Sequence, residues 1–265
     1  AYLVDVWRGD LRDTSFQKYV FFVAFFPQLI AGPIVRYQDI DSQVDRLRGK
    51  RRPYASAFTI GLCFFAAGLF KKLYFADSIG TYANSIFERA DYMGDIGTKD
   101  AWLGVICYSL QLYFDFSGYS DMAIGLGRMF GFVIPLNFYS PYKAASIIDF
   151  WRRWHITLSL FFQQYLYIPL GGSRKGYVRQ GVNLLIVMTL AGLWHGAGFT
   201  FVAWGLYHGI LLLVNHLCAA IPKAAVPRWW STIEYVTGRC VTLVAVMFGW
   251  MLFRAPTFKT AELFY

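Results

Sequence analysis

The sequence predicts an all-α fold, a polytopic bundle of membrane helices in which some helices are broken or re-entrant. Of its 265 residues, 57% are hydrophobic and 20% aromatic, and the mean hydropathy is +0.40. Soluble domains are about 45–50% apolar. Residues 183–215 contain no Lys, Arg, Asp or Glu, and this run exceeds the roughly 20 residues that cross a bilayer. We therefore expect residues 1–265 to form a single membrane domain.

The chain is basic, but its charge is distributed as in membrane proteins. Its formal net charge is +9, and the Lys and Arg residues concentrate in the connections between apolar runs. The positive-inside rule accounts for this distribution, so a nucleic-acid partner is not expected. The four cysteines show no CxxC spacing, and this pattern predicts neither a metal site nor a disulfide framework.

The first apolar run is predicted to be a broken or re-entrant segment. It covers residues 16–34 and contains Pro27 and Pro33, and two prolines this close interrupt a straight helix. Irregular backbone at membrane depth is stable only where protein buries it. Residues 1–15 are polar and fit a loop or an interfacial helix. Residues 36–52 form a basic connection that we place in the cytoplasm.

Two spans and a shallower helix are predicted before the middle of the chain. Residues 55–76 form the first span, in which Lys71 and Lys72 either snorkel to the interface or end the span early. Residues 102–116 form the second, which ends at YFDFSGYSD, where the Ser-Gly pair predicts a turn. Residues 122–136 are moderately apolar and suit a tilted or interfacial helix.

A helix with charged and titratable side chains is predicted over residues 149–170. Asp149, Arg152 and Arg153 stand at i, i+3 and i+4, so on a helix they share a face and can pair. His155 lies on an adjoining strip of the same helix. One interpretation is an amphipathic cytoplasmic helix whose arginines meet lipid phosphates. That interpretation explains the arginines but not a histidine among aromatic residues.

The central apolar stretch places His195 at a predicted break between two helices. Gly192 and Gly196 have the G-x-x-x-G spacing that allows close backbone approach, and the glycines of HGAG weaken a continuous helix. An ionisable residue inside a membrane is a functional hypothesis by default. The alternative is a histidine that only holds the bundle together by hydrogen bonding. His208 and His216 are predicted to be packing or interface residues.

The C-terminal part is predicted to be a loop followed by a short apolar run. Residues 220–238 contain Pro222 and Pro227, and residues 241–253 are short for a span. The chain begins with Ala1 and stops just after an apolar run. We expect it to be a piece of a longer membrane protein that has further helices at one or both ends.

Several segments together resemble the membrane-bound O-acyltransferase family, and most closely its bacterial branch of alginate-acetylation membrane proteins. They are FFVAFFPQLIAGPIVRY, YFDFSGYSDMAIGLGRMFGF, DFWRRWHITLS, YLYIPLGGSRKG and AGLWHGAGFTFVAWGLYHG. The combination of FWRRWH with LWHG is specific, whereas each motif alone is weak. The resemblance covers nearly the whole chain. One departure is Gln163-Gln164, where relatives often carry Arg-Asp, and it leaves the role of that pair open.

The resemblance implies a helical bundle with a polar cavity at membrane depth, in a multi-pass protein of the bacterial inner membrane. His195 matches the catalytic histidine of the family and His155 its second histidine. The implied reaction moves an acyl group from a cytoplasmic thioester donor, such as acetyl-CoA, to an extracytoplasmic acceptor protein. That protein then O-acetylates a polysaccharide such as alginate. A D-alanyl or other acyl group is the alternative, and no permanently bound cofactor is implied.

The chemistry of acyl transfer fits these residue types. A hydroxyl acceptor must lose its proton, and histidine titrates close to neutral pH, so His195 is a candidate general base. The developing negative charge on the acyl oxygen needs hydrogen-bond donors. Candidates are His155 and the backbone N–H groups of residues 196–198.

Further residues are candidates for binding the donor or substrate. The basic ones suit the phosphates of a coenzyme A donor at the cytoplasmic mouth, although positive-inside topology explains them equally well. The set is Asp149, Arg152, Arg153, Arg174, Lys175 and, in the LWHG motif, Trp194.

Two other classes of function stay open from the sequence. Broken helices and intramembrane histidines also occur in transporters, and a scaffold subunit of a polysaccharide-secretion complex needs no catalysis. Against a transporter, the polar residues concentrate in two motifs instead of spreading along several helices.

We predict that residues 36–52 and 171–180 lie on the same, cytoplasmic side of the membrane, because both are rich in Lys and Arg. The measurement is cysteine-accessibility labelling of Ser42→Cys and Ser173→Cys in a variant without the native cysteines. In sealed cells an impermeant reagent should label neither position, and both should react after lysis. Labelling of either position in sealed cells would overturn the assignment.

Overall fold

The computed structural model describes residues 1–11, 15–29, 32–47, 55–220 and 228–265, without the side chains of 228–230. Every regular element in these ranges is helical, which confirms the predicted all-α class. The α-helices are α1 (Tyr2–Arg8), α2 (Phe16–Ala24), α3 (Tyr37–Leu47), α4 (Ala55–Phe70), α5 (Asp77–Met93), α6 (Thr98–Met129), α7 (Ile147–Arg153), α8 (Ile156–Phe162), α9 (Gly176–His195), α10 (Phe199–Ala219), α11 (Arg228–Arg254) and α12 (Phe258–Glu262).

Three helices are long and apolar enough to cross a membrane among the residues described. They are Ala55–Met93, Phe199–Ala219 and Ser231–Arg254. The predicted interruption of the first apolar run is confirmed, because α2 ends before Pro27 and a short 3₁₀ turn, Phe26–Gln28, follows it. Residues 30–31 of that run lie outside the described part. The apolar helices and the interrupted segment together give a helical membrane protein.

The first membrane helix does not end at its two lysines. A π-helical stretch, Lys71–Ala76, joins α4 to α5, so one helix of 39 residues continues to Met93. The lysines form ion pairs with α6: the Lys71 ammonium lies 2.5 Å from Asp121, and that of Lys72 lies 2.7 Å from Asp115. Paired cations of this kind need not snorkel to the interface or end the helix.

The predicted turn at YFDFSGYSD is wrong, because α6 is one helix of 32 residues that passes through it. The glycines of α6 serve helix packing instead. A Cβ on Gly118 would lie 2.8 Å from the carbonyl oxygen of Gly68, and one on Gly125 would lie 2.5 Å from that of Gly61. Helices α4 and α6 therefore cross where both lack side chains. The separate helix predicted over residues 122–136 is wrong, because residues 122–129 are the end of α6 and residues 130–136 are not helical.

The predicted break near His195 is confirmed. Helix α9 ends at His195 and α10 begins at Phe199, so the two form a helical hairpin. The hairpin is tightly packed, because a Cβ on Gly192 would lie 2.1 Å from the carbonyl oxygen of Phe201. On the facing helix, a Cβ on Gly205 would lie 2.2 Å from the carbonyl oxygen of Met188. Glycine at both positions lets the backbones touch.

The C-terminal prediction needs a correction. Helix α11 has 27 residues, so part of the loop predicted over residues 220–238 is helical. Gly238 lies inside this helix and does not break it. The glycine serves packing, since a Cβ there would lie 2.6 Å from the carbonyl oxygen of Ala145. Residues 221–227 of the predicted loop lie outside the described part. The extra turns lengthen the run at residues 241–253 into a helix that can span a membrane.

The core of the bundle is aromatic. Phe150, Trp204 and Trp250 are almost fully buried and pack together with Trp154. Their rings join α7, α10 and α11, with Trp154 and Trp250 centred 4.8 Å apart. This cluster packs α7, which ends just before His155, against α10, which begins just after His195.

We predict that Gly192→Ala destabilises the folded protein, because its new methyl group meets backbone rather than a movable side chain. Overpacking of this kind costs about 1–3 kcal/mol. The measurement is thermal unfolding in detergent. Gly97→Ala is the matched control, since a Cβ at Gly97 meets nothing within 4 Å. Equal stability of the two variants would contradict the close approach of α9 and α10.

Candidate active site

His155 lies at a break between two helices, not on the single helix predicted over residues 149–170. Helix α7 ends at Arg153, and α8 begins at Ile156. His155 has φ 43°, in the left-handed region, which is uncommon for residues other than glycine. A loop stabilises the break: the N–H of Tyr139 donates to the carbonyl of Arg153, and that of Ile156 donates to the carbonyl of Asn137.

The imidazole of His155 is fixed from both sides. Its Nδ1 lies 3.0 Å from Oδ1 of Asn137. The ring of Phe116, on α6, meets it edge to face at a centroid distance of 4.7 Å. The side chain is only 5% exposed. A buried, hydrogen-bonded ring of this kind keeps one orientation.

His195 is the last residue of α9 and is held by ring contacts. Its centroid lies 5.0 Å from that of Phe253, 5.3 Å from that of Trp204 and 4.9 Å from that of Trp194. Hydrogen bonds to its two ring nitrogens are absent among the residues that the structure describes. Both nitrogens are therefore available to a ligand.

The two histidines line one small chamber. Its volume of about 40 Å³ exceeds the ~10–15 Å³ that one water molecule needs, so a hydroxyl or another group of a few atoms fits between them. The other lining side chains are apolar or aromatic. They are Leu112, Phe116, Trp151, Trp154, Leu158, Trp204, Trp250 and Phe253.

A larger cavity of about 560 Å³ leads to the same place along one face of α9. Gln180, Leu184, Val187, Ala191 and His195 line it, and helical spacing puts residues 180 and 195 about 22 Å apart. His195 therefore lines both cavities. At the end away from His195 the lining includes polar side chains, namely Arg152, Ser173, Gln180 and His216. Among the described residues, neither cavity is lined by Asp or Glu.

The structure separates the two arginines of the FWRRWH motif. Arg152 lines the large cavity. Arg153 instead donates from Nε to the Asp149 carboxylate at 2.7 Å and lies over the ring of Tyr139. The predicted pairing at i and i+4 is present, but Arg152 takes no part in it. The carboxylate beside Arg153 holds the pKa of its guanidinium above the usual value.

The other residues predicted to bind donor or substrate lie outside both cavities. Arg174 and Lys175 are exposed in the turn before α9, where Ser173 is the residue that lines the large cavity. Trp194 is 59% exposed and covers the outer side of the His195 ring. Among these residues, Arg152 is therefore the one that the structure brings to the cavity of His195.

The unusual Gln163-Gln164 pair lies in a second π-helical stretch, Gln163–Tyr167, which follows α8. Gln163 lines the large cavity. Gln164 lies outside it and accepts a hydrogen bond from Arg36 at 3.0 Å. π-Helical turns often mark functional sites, and here the two amides face different parts of the molecule.

Sequence reasoning missed Asn137, Trp204 and Phe253, which surround the histidines. Asn137 sits in the loop after α6, and no motif or periodicity marks it. Trp204 and Phe253 look like ordinary apolar helix residues. His208 is fully buried among Trp151, Trp204 and Trp250, in keeping with the packing role favoured for it.

The fold and the cavities define a helical membrane protein with a histidine-lined internal chamber. The chain belongs to the membrane-bound O-acyltransferase family, because the model of that family matches residues 7–254. This finding confirms the resemblance that the motifs indicated.

The chain is similar to curated members of several kinds. It is 42% identical over 262 residues to a probable alginate O-acetylase of Pseudomonas aeruginosa, covering 98% of this chain and 48% of the relative. It is 44% identical over 248 residues to a peptidoglycan O-acetyltransferase of Helicobacter pylori, covering 94% and 46%. A teichoic acid D-alanyltransferase of Bacillus subtilis is 27% identical over 253 residues, covering 91% and 62%. The chain spans about half the length of the O-acetylase relatives.

Proposed function

We propose that the protein is a membrane O-acetyltransferase in which His195 is the general base. The observation that supports this most directly is that His195 lines both cavities. One cavity is long enough for an extended thioester donor, and the other is a small chamber beside a second histidine. Donor and acceptor can therefore meet at His195 from two directions.

The proposed reaction needs one proton acceptor and one electrophile. His195 removes the proton of the acceptor hydroxyl, and the oxygen attacks the carbonyl carbon of the thioester. The carbon–sulfur bond then breaks, and the thiolate leaves with the proton from His195. Positioned proton transfer of this kind is worth about 10²–10⁴ in rate. The N–H groups of residues 196–198 are the candidate donors to the developing oxyanion.

The cavity walls favour a neutral acyl group. A D-alanyl group carries an ammonium, and a charge placed in an apolar site without a partner is costly. Among the described residues, neither cavity offers a carboxylate to pair with it. An acetyl group needs no such partner. The greater similarity to the O-acetylase relatives than to the D-alanyltransferase points the same way.

The direction of transfer follows from the predicted topology. The polar end of the large cavity includes Ser173 and Gln180, which lie in the basic connection that we place in the cytoplasm. The acyl thioester donor, for example acetyl-CoA, enters there as a substrate, with no permanently bound cofactor. The acceptor is an extracytoplasmic protein that passes the acetyl group to an envelope polysaccharide such as alginate. The protein is thus a multi-pass protein of the bacterial inner membrane.

We predict that His195→Ala and His195→Gln both abolish acetyl transfer while the protein still inserts. Glutamine resembles histidine in size and hydrogen bonding but does not accept a proton at neutral pH. A loss of about 10²-fold or more is expected for both variants. The measurement is transfer of label from an acetyl thioester in membranes with matched amounts of folded protein, with a D-alanyl thioester in parallel.

Trp194→Phe is the control for packing at the same helix end, because its side chain lies outside both cavities. A folded His195→Gln variant with near wild-type turnover would remove the proposed chemistry. Flux of a solute without acyl transfer would indicate a transporter instead. Equal use of the D-alanyl thioester would contradict the assigned acyl group.

We predict that Arg152→Gln raises KM for the donor thioester and leaves kcat nearly unchanged, because Arg152 lines the distant end of the donor cavity. A hydrogen bond to a charged group is worth about 1.5–3 kcal/mol, which corresponds to roughly 10-fold or more in KM. Arg174→Gln is the matched control, with the same charge change outside the cavity. Equal effects of the two variants would show that general surface charge, not Arg152, attracts the donor.

A further inference from the structure

Asn137 is almost fully buried and is bonded through every polar atom of its side chain. It is 1% exposed and lies in the loop after α6. Its Oδ1 lies 3.0 Å from Nδ1 of His155 and 2.9 Å from Oγ1 of Thr157. Its Nδ2 donates to Oγ of Ser120 at 3.2 Å. No sequence motif and no step of the proposed reaction accounts for this residue.

The hydrogen bonds fix which atom of the amide faces His155. The backbone N–H of Thr157, which can only donate, lies 3.3 Å from the same Oδ1. That atom is therefore the amide oxygen, and an amide oxygen only accepts hydrogen bonds. It follows that Nδ1 of His155 carries a hydrogen and donates it to Asn137.

A neutral imidazole carries one hydrogen, so the other ring nitrogen of His155 has a free lone pair. Nδ1 is turned toward Asn137, which lines neither cavity, whereas the His155 ring lines the small chamber. The polar atom that His155 can offer to the chamber is thus Nε2, as a hydrogen-bond acceptor. A neutral His155 does not donate to an oxyanion there, which corrects one of the roles considered from the sequence.

We infer that Asn137 is a positioning residue that holds His155 in the tautomer whose Nε2 accepts a hydrogen bond in the chamber. The acceptor molecule supplies that hydrogen bond from a second donor group, such as a neighbouring hydroxyl or amide N–H, because the attacking hydroxyl has only one hydrogen and gives it to His195. Held in this way, the attacking oxygen points at the thioester carbon. The inference rests on the proposed function. It adds a residue that touches neither donor nor acceptor and acts through His155.

Among the described residues, Asn137 is the side chain that forms a hydrogen bond with the His155 imidazole, so it sets the tautomer. Phe116 of α6 and Phe138 of the loop present rings to the imidazole. The titratable side chain that shares the chamber with His155 is His195. Asn137 is itself held firmly, because Thr157 also accepts a hydrogen bond from the N–H of Ile34 at 2.9 Å. The network therefore links α6, α8 and the interrupted N-terminal segment around one imidazole.

The test compares Asn137→Leu with Asn137→Asp by steady-state acetyl transfer in membranes. Leucine has a similar size but removes the acceptor for Nδ1–H, and we expect kcat to fall about 10–100-fold, the size typical of an outer-shell partner of a functional histidine. KM should change little, since Asn137 lines neither cavity. Aspartate keeps an oxygen acceptor and should retain most of the activity. Ser120→Ala, which removes only the bond to Nδ2, should be nearly neutral.

A double-mutant cycle separates positioning from folding. If Asn137 acts through His155, Asn137→Leu should cause no further loss of kcat in a His155→Ala background. Additive losses, equal activity of the Leu and Asp variants, or a wild-type rate for Asn137→Leu would each overturn the inference. Activity that survives in His195→Gln would instead overturn the proposed function, so the two failures are distinguishable.

Discussion

The structure depends on burying two interruptions of the helical backbone. A backbone N–H or C=O without a partner costs several kcal/mol in hydrocarbon, so a break inside a membrane bundle must be enclosed by protein. At His155 the loop at Tyr139 and Asn137 supplies the missing hydrogen bonds. At His195 the rings of Trp204 and Phe253 close around the end of α9. Both candidate functional residues therefore lie where the chain is irregular and the packing is dense.

Glycine makes this enclosure possible by letting helices approach until their backbones touch. Gly192 and Gly205 bring α9 against α10, while Gly68 and Gly118 bring α4 against α6. The first pair places His195 beside the aromatic cluster. The second pair packs α4 against α6, and another face of α6 presents the ring of Phe116 to His155.

The sequence predicts one break well and the other not at all. The glycines after His195 weaken a helix locally, so that break is visible in neighbouring residues. The break at His155 has no Gly or Pro beside it, and hydrogen bonds to Asn137, 18 residues earlier in the chain, stabilise it. Local propensity also misassigns Gly118 to a turn. From the sequence alone, a glycine at a helix crossing cannot be told from a glycine in a turn. Contacts between distant segments therefore decide what motif spacing leaves open, including which of Arg152 and Arg153 reaches a cavity.

The two histidines differ in how tightly they are held, and the difference suits the proposed chemistry. His155 has one nitrogen committed to Asn137, so its ring and tautomer are set before any substrate enters. His195 makes ring contacts but no hydrogen bond among the described residues. A base that takes a proton from a hydroxyl and returns it to a thiolate must serve two partners in turn. A ring without a fixed hydrogen-bond partner can do so, while the fixed ring keeps the hydroxyl in line.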